Sequence, residues 1–337
     1  MHGRTYNPVM RTIVCLLVLA LTSVLHAADG TPSAHIVLLH VNDSHGHTQS
    51  WLDDGKSVGG YARVKTVVDA IRQQEGVDHV IFLHAGDEIS RGDTLTSATL
   101  GEGNIAILNL MGIAAWTPGN GEFYPGAANL QKLISEANFP TLTGNIRYRL
   151  DGKPFADETT ILTVQGVRVG LLGLCFIHEE YPSSWVLKME PPADAARRLI
   201  PQLRKNADLV IALNHIGIDA DRKLAASVPG IDLIVGGHSH TVLREGERVT
   251  GPAGREVLIV QAGEYLHYIG RVDLELQRKG DAWILQKSAA RLIPLDATVP
   301  EDPAIKSTIA RLWPATQPAT APADDTAAMG TTALPAK

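Results

Sequence analysis

Short apolar runs alternate along this chain with segments whose apolar positions recur every three or four residues. The first pattern marks buried strands, and the second marks helices that lay one face on a core. Strands are expected at residues 35–41, 80–83, near 114–116, and at 140–143, 160–164, 167–175, 208–213 and 231–235. Helices are expected between them, at 60–74 (Val64, Val67, Val68 and Ile71 on one face), 104–111, 127–137, 193–206 and 219–227. Gly166 separates two of the strands and predicts a hairpin. Beyond His240 the helical spacing stops. Residues 256–261, 267–276 and 283–292 read as strands, partly alternating as half-buried strands do, before a closing helix at 302–312. An α/β region followed by a β-rich one predicts a mixed sandwich, two sheets with helices outside, rather than one doubly wound sheet.

The two ends differ from this pattern. Arg11 precedes an apolar run at 13–25, followed by His26-Ala27-Ala28-Asp29. A basic start, a short apolar centre and small residues make a secretory signal, and the run is shorter than the roughly 20 residues of a membrane span. Met10 gives this signal a more conventional start than Met1. Residues 1–28 are therefore expected to be removed, leaving a periplasmic or secreted chain with no membrane partner. Residues 314–337 are mostly Ala, Thr and Pro and are expected to be disordered, because they cannot bury enough apolar surface to fold. Residues 29–313 remain as one large domain.

The chain has 337 residues, 45% hydrophobic, with a net charge of −6. That composition supports a large core, and without a Lys/Arg cluster it argues against a nucleic-acid partner. Of the two cysteines, Cys15 would leave with the signal. Cys175 lies in an apolar strand, as a small buried hydrophobe does. No disulfide is possible in the mature chain, and any metal site must use nitrogen and oxygen ligands.

Chemistry gathers where the strands end. The first is followed by Asn42-Asp43-Ser44-His45-Gly46, the second by Gly86-Asp87-Glu88, and the third by Gly119-Asn120-Gly121-Glu122. Asn214-His215 and Gly236-Gly237-His238-Ser239-His240 follow two later strands. Open α/β sheets bind ligands beyond the carboxyl ends of their strands. Asp43, His45, Asp87, Asn120, His215, His238 and His240 are thus available to one place, enough to hold two divalent cations. Cations ~3.5–4 Å apart need an anionic bridge, and Asp87 is central in the series. Neutral imidazoles complete each ion without excess negative charge, and water in an open position is acidified. Mn, Zn and Fe all suit such ligands. The Gly236-Gly237 pair lets the backbone turn sharply and pass close to a ligand.

With these residues in order, the chain resembles the metallophosphatase domain of the 5′-nucleotidase / UDP-sugar hydrolase family, within the calcineurin-like phosphoesterases. The matching motifs are Leu39-His40-Val41-Asn42-Asp43-Ser44-His45-Gly46, Gly59-Gly60-Tyr61-Ala62-Arg63 and Ala85-Gly86-Asp87. They continue with Gly119-Asn120-Gly121-Glu122-Phe123, Asn214-His215-Ile216-Gly217, the double-histidine turn and Gln261-Ala262-Gly263-Glu264-Tyr265, over about residues 35–295. The resemblance implies a four-layer αββα sandwich. It implies Asp43, His45, Asp87 and His240 at one metal, and Asp87, Asn120, His215 and His238 at the other. It further implies a metal-dependent phosphoesterase acting on a small phosphate ester or nucleotide through metal-bound hydroxide.

The chain departs from the family in one motif. Where the family has Gly-Asn-His-Glu-Phe-Asp, this chain has Gly119-Asn120-Gly121-Glu122-Phe123-Tyr124. The resembled His acts on the transferring phosphoryl group and its leaving oxygen, and the Asp orients it; here Gly121 and Tyr124 stand instead. A positioned general acid is worth roughly 10²–10⁴-fold in rate. Its loss favours good leaving groups, and Gly121 is expected to open room for a larger substrate. His47, His84 and His178 are candidates to replace the acid, and Arg91 to hold an anion. The family's nucleotidases also carry a C-terminal nucleoside-gripping domain, so nucleotide specificity does not carry over. Two rivals remain: a thiosulfohydrolase-like branch of the family that also lacks the His, and a metal-retaining domain that binds without catalysis.

Overall fold

The computed structural model describes residues 32–314. The expected signal segment and, apart from Pro314, the expected tail lie outside these residues. Two sheets face each other. The first orders the strands Ala282–Pro294, Tyr268–Lys279, Ser33–Val41, Val80–His84 and Ala115–Trp116. The second orders Glu247–Thr250, Glu256–Val260, Leu233–Val235, Leu209–His215, Val167–Cys175 and Thr159–Val164.

Three apolar layers hold these sheets and their helices together. Between the sheets, Ile36, Leu38, Ile81 and Leu83 meet Leu171, Leu209, Ile211, Leu213 and Val235. Outside the first sheet, Val37, Leu39, Val41 and Phe82 pack on Val64 and Val68 of the helix Tyr61–Glu75 and on Ile105, Leu108 and Ile305 from two others. Outside the second, Leu172, Leu174, Val210 and Ala212 pack on Ala196, Ile200 and Leu203 of the helix Pro192–Asn206 and on Leu224. Successive residues of a strand point to opposite faces, so a strand buried on both sides reads as an unbroken apolar run. The result is the expected helix–sheet–sheet–helix sandwich.

Parallel strands in both sheets place the loops that matter. Ser33–Val41 runs parallel to Val80–His84, which runs parallel to Ala115–Trp116. In the other sheet Val167–Cys175, Leu209–His215, Leu233–Val235 and Glu256–Val260 are parallel. Antiparallel strands flank both sets. The hairpin at Gly166 turns on Gln165 and Gly166, both at positive φ, which matches the twist of its two strands.

Several elements differ from expectation. Residues 140–143 form only isolated bridges, Trp116 to Thr141 and Leu142 to Asp157, both parallel, because pairing along Trp116 lasts for a single residue. A short helix, Thr94–Thr99, starts at Asp93, whose carboxylate accepts from the Thr96 N–H. The small hairpin Trp51–Asp53 with Lys56–Val58 has too few residues to show periodicity. Pro201 sits inside the helix Pro192–Asn206. Cys175 is buried, as its apolar setting predicts. No helix among the described residues is long and apolar enough to cross a membrane.

Behind the second sheet, the Asn214 amide donates to Asp221 Oδ1 at 2.8 Å, while Asp221 Oδ2 is buried without a partner. Burial pushes the Asp221 pKa up to about 7, against the pull of Asn214 and His215. The unfolded chain ionises this carboxyl near pH 4, so between about pH 4 and 7 the folded state holds a proton that the unfolded state has released. Stability from this group is therefore present at low pH and lost as pH rises through that window. Asp221→Asn is expected to be more stable than the parent at pH 8 by a few kcal/mol, at about 1.4 kcal/mol per pKa unit, with a smaller difference at pH 5. Urea denaturation of both chains at the two pH values measures it.

Candidate functional site

The loops at the carboxyl ends of the parallel strands are sewn to one another by backbone bonds. Asp43 N–H donates to the Gly86 carbonyl (2.8 Å), His45 N–H to that of Asp87 (2.9 Å), and Tyr265 N–H to that of Asp43 (2.7 Å). The Asn42 amide donates to Asp43 Oδ2 and to the Gly263 carbonyl, both at 2.7 Å. Gln261 ties the double-histidine turn: its amide donates to the Gly237 carbonyl, and its oxygen accepts from Thr241 N–H. Gly237 passes so close to its neighbours that a Cβ there would fall 2.6 Å from the Ala85 carbonyl and 2.8 Å from His215 Nδ1. The close approach here is to other loops of the chain, whereas the sequence pattern predicts one to a ligand.

A second tie is Glu122, which is fully buried. Its carboxylate accepts the N–H groups of Asp87 (3.0 Å), Glu88 (2.6 Å), Ile89 (2.9 Å) and Gly119 (2.5 Å). Burial and the Asp87 charge push its pKa up to about 8, while the Ile89 and Gly119 N–H groups pull it down. Behind Ser44 a further buried carboxylate, Glu88, takes hydrogen bonds from Ser44, Tyr61, His84 and Asn104.

These ties bring all seven candidate residues together. Asp43, His45 and His240 form one group and Asp87, His215 and His238 another; within each, one ligand atom per residue lies within 4.8 Å of the others. Asp87 faces both groups, with Oδ2 3.9 Å from His45 Nε2 and Oδ1 3.4 Å from His215 Nε2. Asn120 Oδ1 lies 2.7 Å from His238 Nδ1. Five of the seven, Asp43, His45, Asp87, His238 and His240, have positive φ. Such backbones are uncommon outside glycine and cost of order 1–3 kcal/mol each; they persist where surrounding contacts over-determine them, often at functional sites.

The donor set fits divalent cations. His215 Nδ1 lies 2.6 Å from the Ala85 carbonyl, which fixes the proton on Nδ1 and aims Nε2 at the carboxylates; Nε2 is buried with no hydrogen-bond partner. His240 Nδ1 is held by Glu264 at 2.5 Å and His45 Nδ1 by Ser90 at 2.6 Å, leaving their Nε2 atoms 2.9 Å apart. Outer partners that fix a histidine's tautomer in this way accompany metal ligation. Asp43 and Asp87 are buried side by side, and burial would raise both pKa values, but His215 and the other histidines hold them below the usual carboxylate range. Burial would lower the His215 pKa, yet the two carboxylates push it up to about 10. Two buried carboxylates among imidazoles favour positive charge between them, as a divalent cation would supply.

The other candidates are placed less uniformly. His84 is buried and locked, its Nδ1 accepting from Gly86 N–H and its Nε2 bonded to Glu88. His47 packs against Tyr265 (4.3 Å between ring centres) and Trp51. His178 alone of the three stands half-buried, edge-on to Phe176 and tilted against Tyr181. Arg91 has φ 69. The room expected at Gly121 is not there: a Cβ would fall 2.5 Å from Ser90 Oγ and closer still to its Cβ. Ser90 has taken the volume, and its hydroxyl serves His45. Ser90, Glu264 and Glu122 are supports that the sequence pattern does not single out. The last two lie in the matching motifs, whereas nothing in the spacing marks Ser90.

The sandwich carries two candidate metal-binding groups at the ends of its parallel strands, the arrangement of a metal-dependent hydrolase. The chain belongs to the calcineurin-like phosphoesterase family, whose model matches residues 36–242. It is 31% identical to the 5′-nucleotidase of Bos taurus over 342 aligned residues, covering 90% of this chain and 56% of the relative. The crystal structure of the 5′-nucleotidase precursor of Thermus thermophilus matches with TM-score 0.73 and 26% identity, covering 82% of this chain and 58% of that one. The sulfate thiohydrolase SoxB of Thermus thermophilus shares the fold, with TM-score 0.73 and 19% identity over 84% of this chain and 61% of that one. The chain thus spans about half the length of the curated relatives it matches.

Two outcomes follow. Glu122→Ala leaves four buried N–H groups without an acceptor, each worth about 1–3 kcal/mol, so thermal denaturation should show a loss of several degrees and metal analysis a loss of bound ions. Gly121→His with Tyr124→Asp should be less stable than the parent while Ser90 remains, and Ser90→Gly in the same background should recover stability. A double variant as stable as the parent would show that Ser90 moves aside freely.

Proposed function

We propose that this chain is an exported, dinuclear metal-dependent phosphoesterase that hydrolyses a small phosphate ester without the His-Asp pair its resemblance implies. The observation that carries the reading is the pair of three-residue donor groups joined by Asp87, with His215 Nε2 buried and unpartnered between the carboxylates. Asp43, His45, Asp87 and His240 would hold one ion, and Asp87, Asn120, His215 and His238 the other. When bound, the ions supply a Lewis acid for the phosphoryl oxygens and acidify the attacking water; Mn, Zn and Fe all suit the ligand set.

The chain's own residues do the rest. Asp43 and Asp87 set the charge that draws cations in. Ala85, Ser90 and Glu264 hold His215, His45 and His240 in single orientations. Glu122 fixes the loop that carries Asp87, and Gly121 N–H donates to Asp87 Oδ1 at 2.7 Å. No imidazole or carboxyl stands at positions 121 and 124, so the leaving oxygen must depart with little protonation from there. Nucleotides remain within the substrate class, since the bovine relative and the Thermus thermophilus precursor are both 5′-nucleotidases, but the matched region covers only part of them. Export to the periplasm or beyond rests on the basic start and apolar run at residues 11–28.

The test uses the chain loaded with Mn or Zn and p-nitrophenyl phosphate. Turnover should require metal, stop with chelator, and fall by ~10²-fold or more in Asp87→Ala together with loss of bound ions. Stoichiometric ions with no turnover of any monoester, diester or nucleotide would overturn the hydrolase reading in favour of a binding domain.

A further inference from the structure

The two rims of the site differ in chemistry. On the His240 side stands the Glu264 carboxylate, half-buried and bonded to the imidazole, with the Tyr265 ring 6.3 Å from His240 and Trp51 5.9 Å beyond it. On the His238 side stands a continuous run of rings. Phe176 lies 5.1 Å from the His238 ring, His178 4.8 Å from Phe176, Tyr181 4.9 Å from His178, and Tyr124 5.3 Å from Tyr181. The planes are tilted by 46° to 82°, so the run presents both faces and edges. It begins against a candidate ligand and ends at Tyr124, which is 64% exposed. Half-buried and exposed rings in such a row leave stacking surface unused on their open sides.

An ester whose phosphoryl group sits at the ions must direct its organic part to one rim. The His240 rim sets its rings, Tyr265 and Trp51, beside the negative charge of Glu264, which opposes a leaving oxygen that gains charge. The His238 rim offers rings, and at its inner edge Gly121 brings no proton donor because Ser90 fills the space. An organic group leaving along this rim gains most if it is flat and if its oxygen bears charge unaided. We propose that Phe176, His178, Tyr181 and Tyr124 form a leaving-group subsite for aryl phosphate esters, whose aromatic alkoxide delocalises its charge. The inference rests on the phosphoesterase reading for its chemistry and on the ring geometry for its binding. In the reaction, water's oxygen bonds to phosphorus and gives up a proton to solvent, the phosphorus–aryl oxygen bond breaks with its electron pair on the aryl oxygen, and the phenoxide takes a proton back from solvent, leaving phosphate and the phenol.

Binding can be read apart from turnover. Metal-loaded protein is titrated calorimetrically with phenylphosphonate, with cyclohexylphosphonate of similar size but no ring face, and with inorganic phosphate as reference. Phenylphosphonate should bind roughly 3- to 10-fold more tightly than its cyclohexyl counterpart, the range that one aromatic contact supplies. That preference should vanish in Tyr181→Leu, shrink in Tyr124→Ala, and survive in Tyr181→Phe and His178→Phe, which keep the rings. Equal affinity for the two phosphonates in the parent, or a preference untouched by Tyr181→Leu and Tyr124→Ala, would overturn the subsite. A phenyl preference in a protein that turns over no ester would uphold the subsite and sink the hydrolase reading. With turnover present, phenyl phosphate should exceed an alkyl phosphate of matched leaving-group acidity, and loss of that excess in His178→Phe would reassign His178 as a proton donor and overturn the stacking role.

Discussion

Two carboxylates buried together, Asp43 and Asp87, are the constraint that organises this molecule. Unpaired charges in a protein interior are costly, and like charges side by side more so. Each carboxylate is held where it is by neighbouring loops: Asp43 accepts from His238 N–H at 2.9 Å across the seam between the sheets, and Asp87 accepts from Gly121 N–H. The sandwich thus presents a fixed deficit of positive charge at one edge. Four imidazoles surround that deficit, and three of them, His45, His215 and His240, have their outer nitrogens tied so that the inner ones face it.

The strain in the loops follows from this arrangement. An aspartate or histidine at positive φ gains nothing locally, and five of them within one site would unravel in isolation. Here Glu122 gathers four N–H groups of two loops, Asn42 and Gln261 pin two others, and the glycines Gly86, Gly119 and Gly237 allow backbones to touch. Stability from three apolar layers behind the loops is what the strained geometry draws on.

The departures at positions 121 and 124 are repacked features. Ser90 occupies the volume beside Gly121 and orients His45, while Tyr124 extends a row of rings from His238 to the surface. One rim of the centre is lined by these rings.

Much of the architecture was legible in the chain itself. Strands such as Val167–Cys175 and Leu209–His215 are apolar over most of their length because both faces are covered, and helices such as Tyr61–Glu75 carry the 3.6-residue stripe of a single covered face. The strand-end clusters stand out because polar residues follow apolar runs, and the Gly236-Gly237 pair announced a close approach. Short-range pattern did not extend to residues 140–143, to the hairpin at Trp51–Val58, or to a Ser90 that looks like any loop serine. Those depend on which atoms arrive from elsewhere in the chain: Trp116 for the first, Tyr265 for the second, Gly121 and His45 for the third. Sequence determined the residue types and the order of elements, since periodicity and composition are local properties. Tertiary structure alone decided which carboxylate meets which imidazole, which space is filled and which rings line up, since those are distances between residues up to about two hundred positions apart.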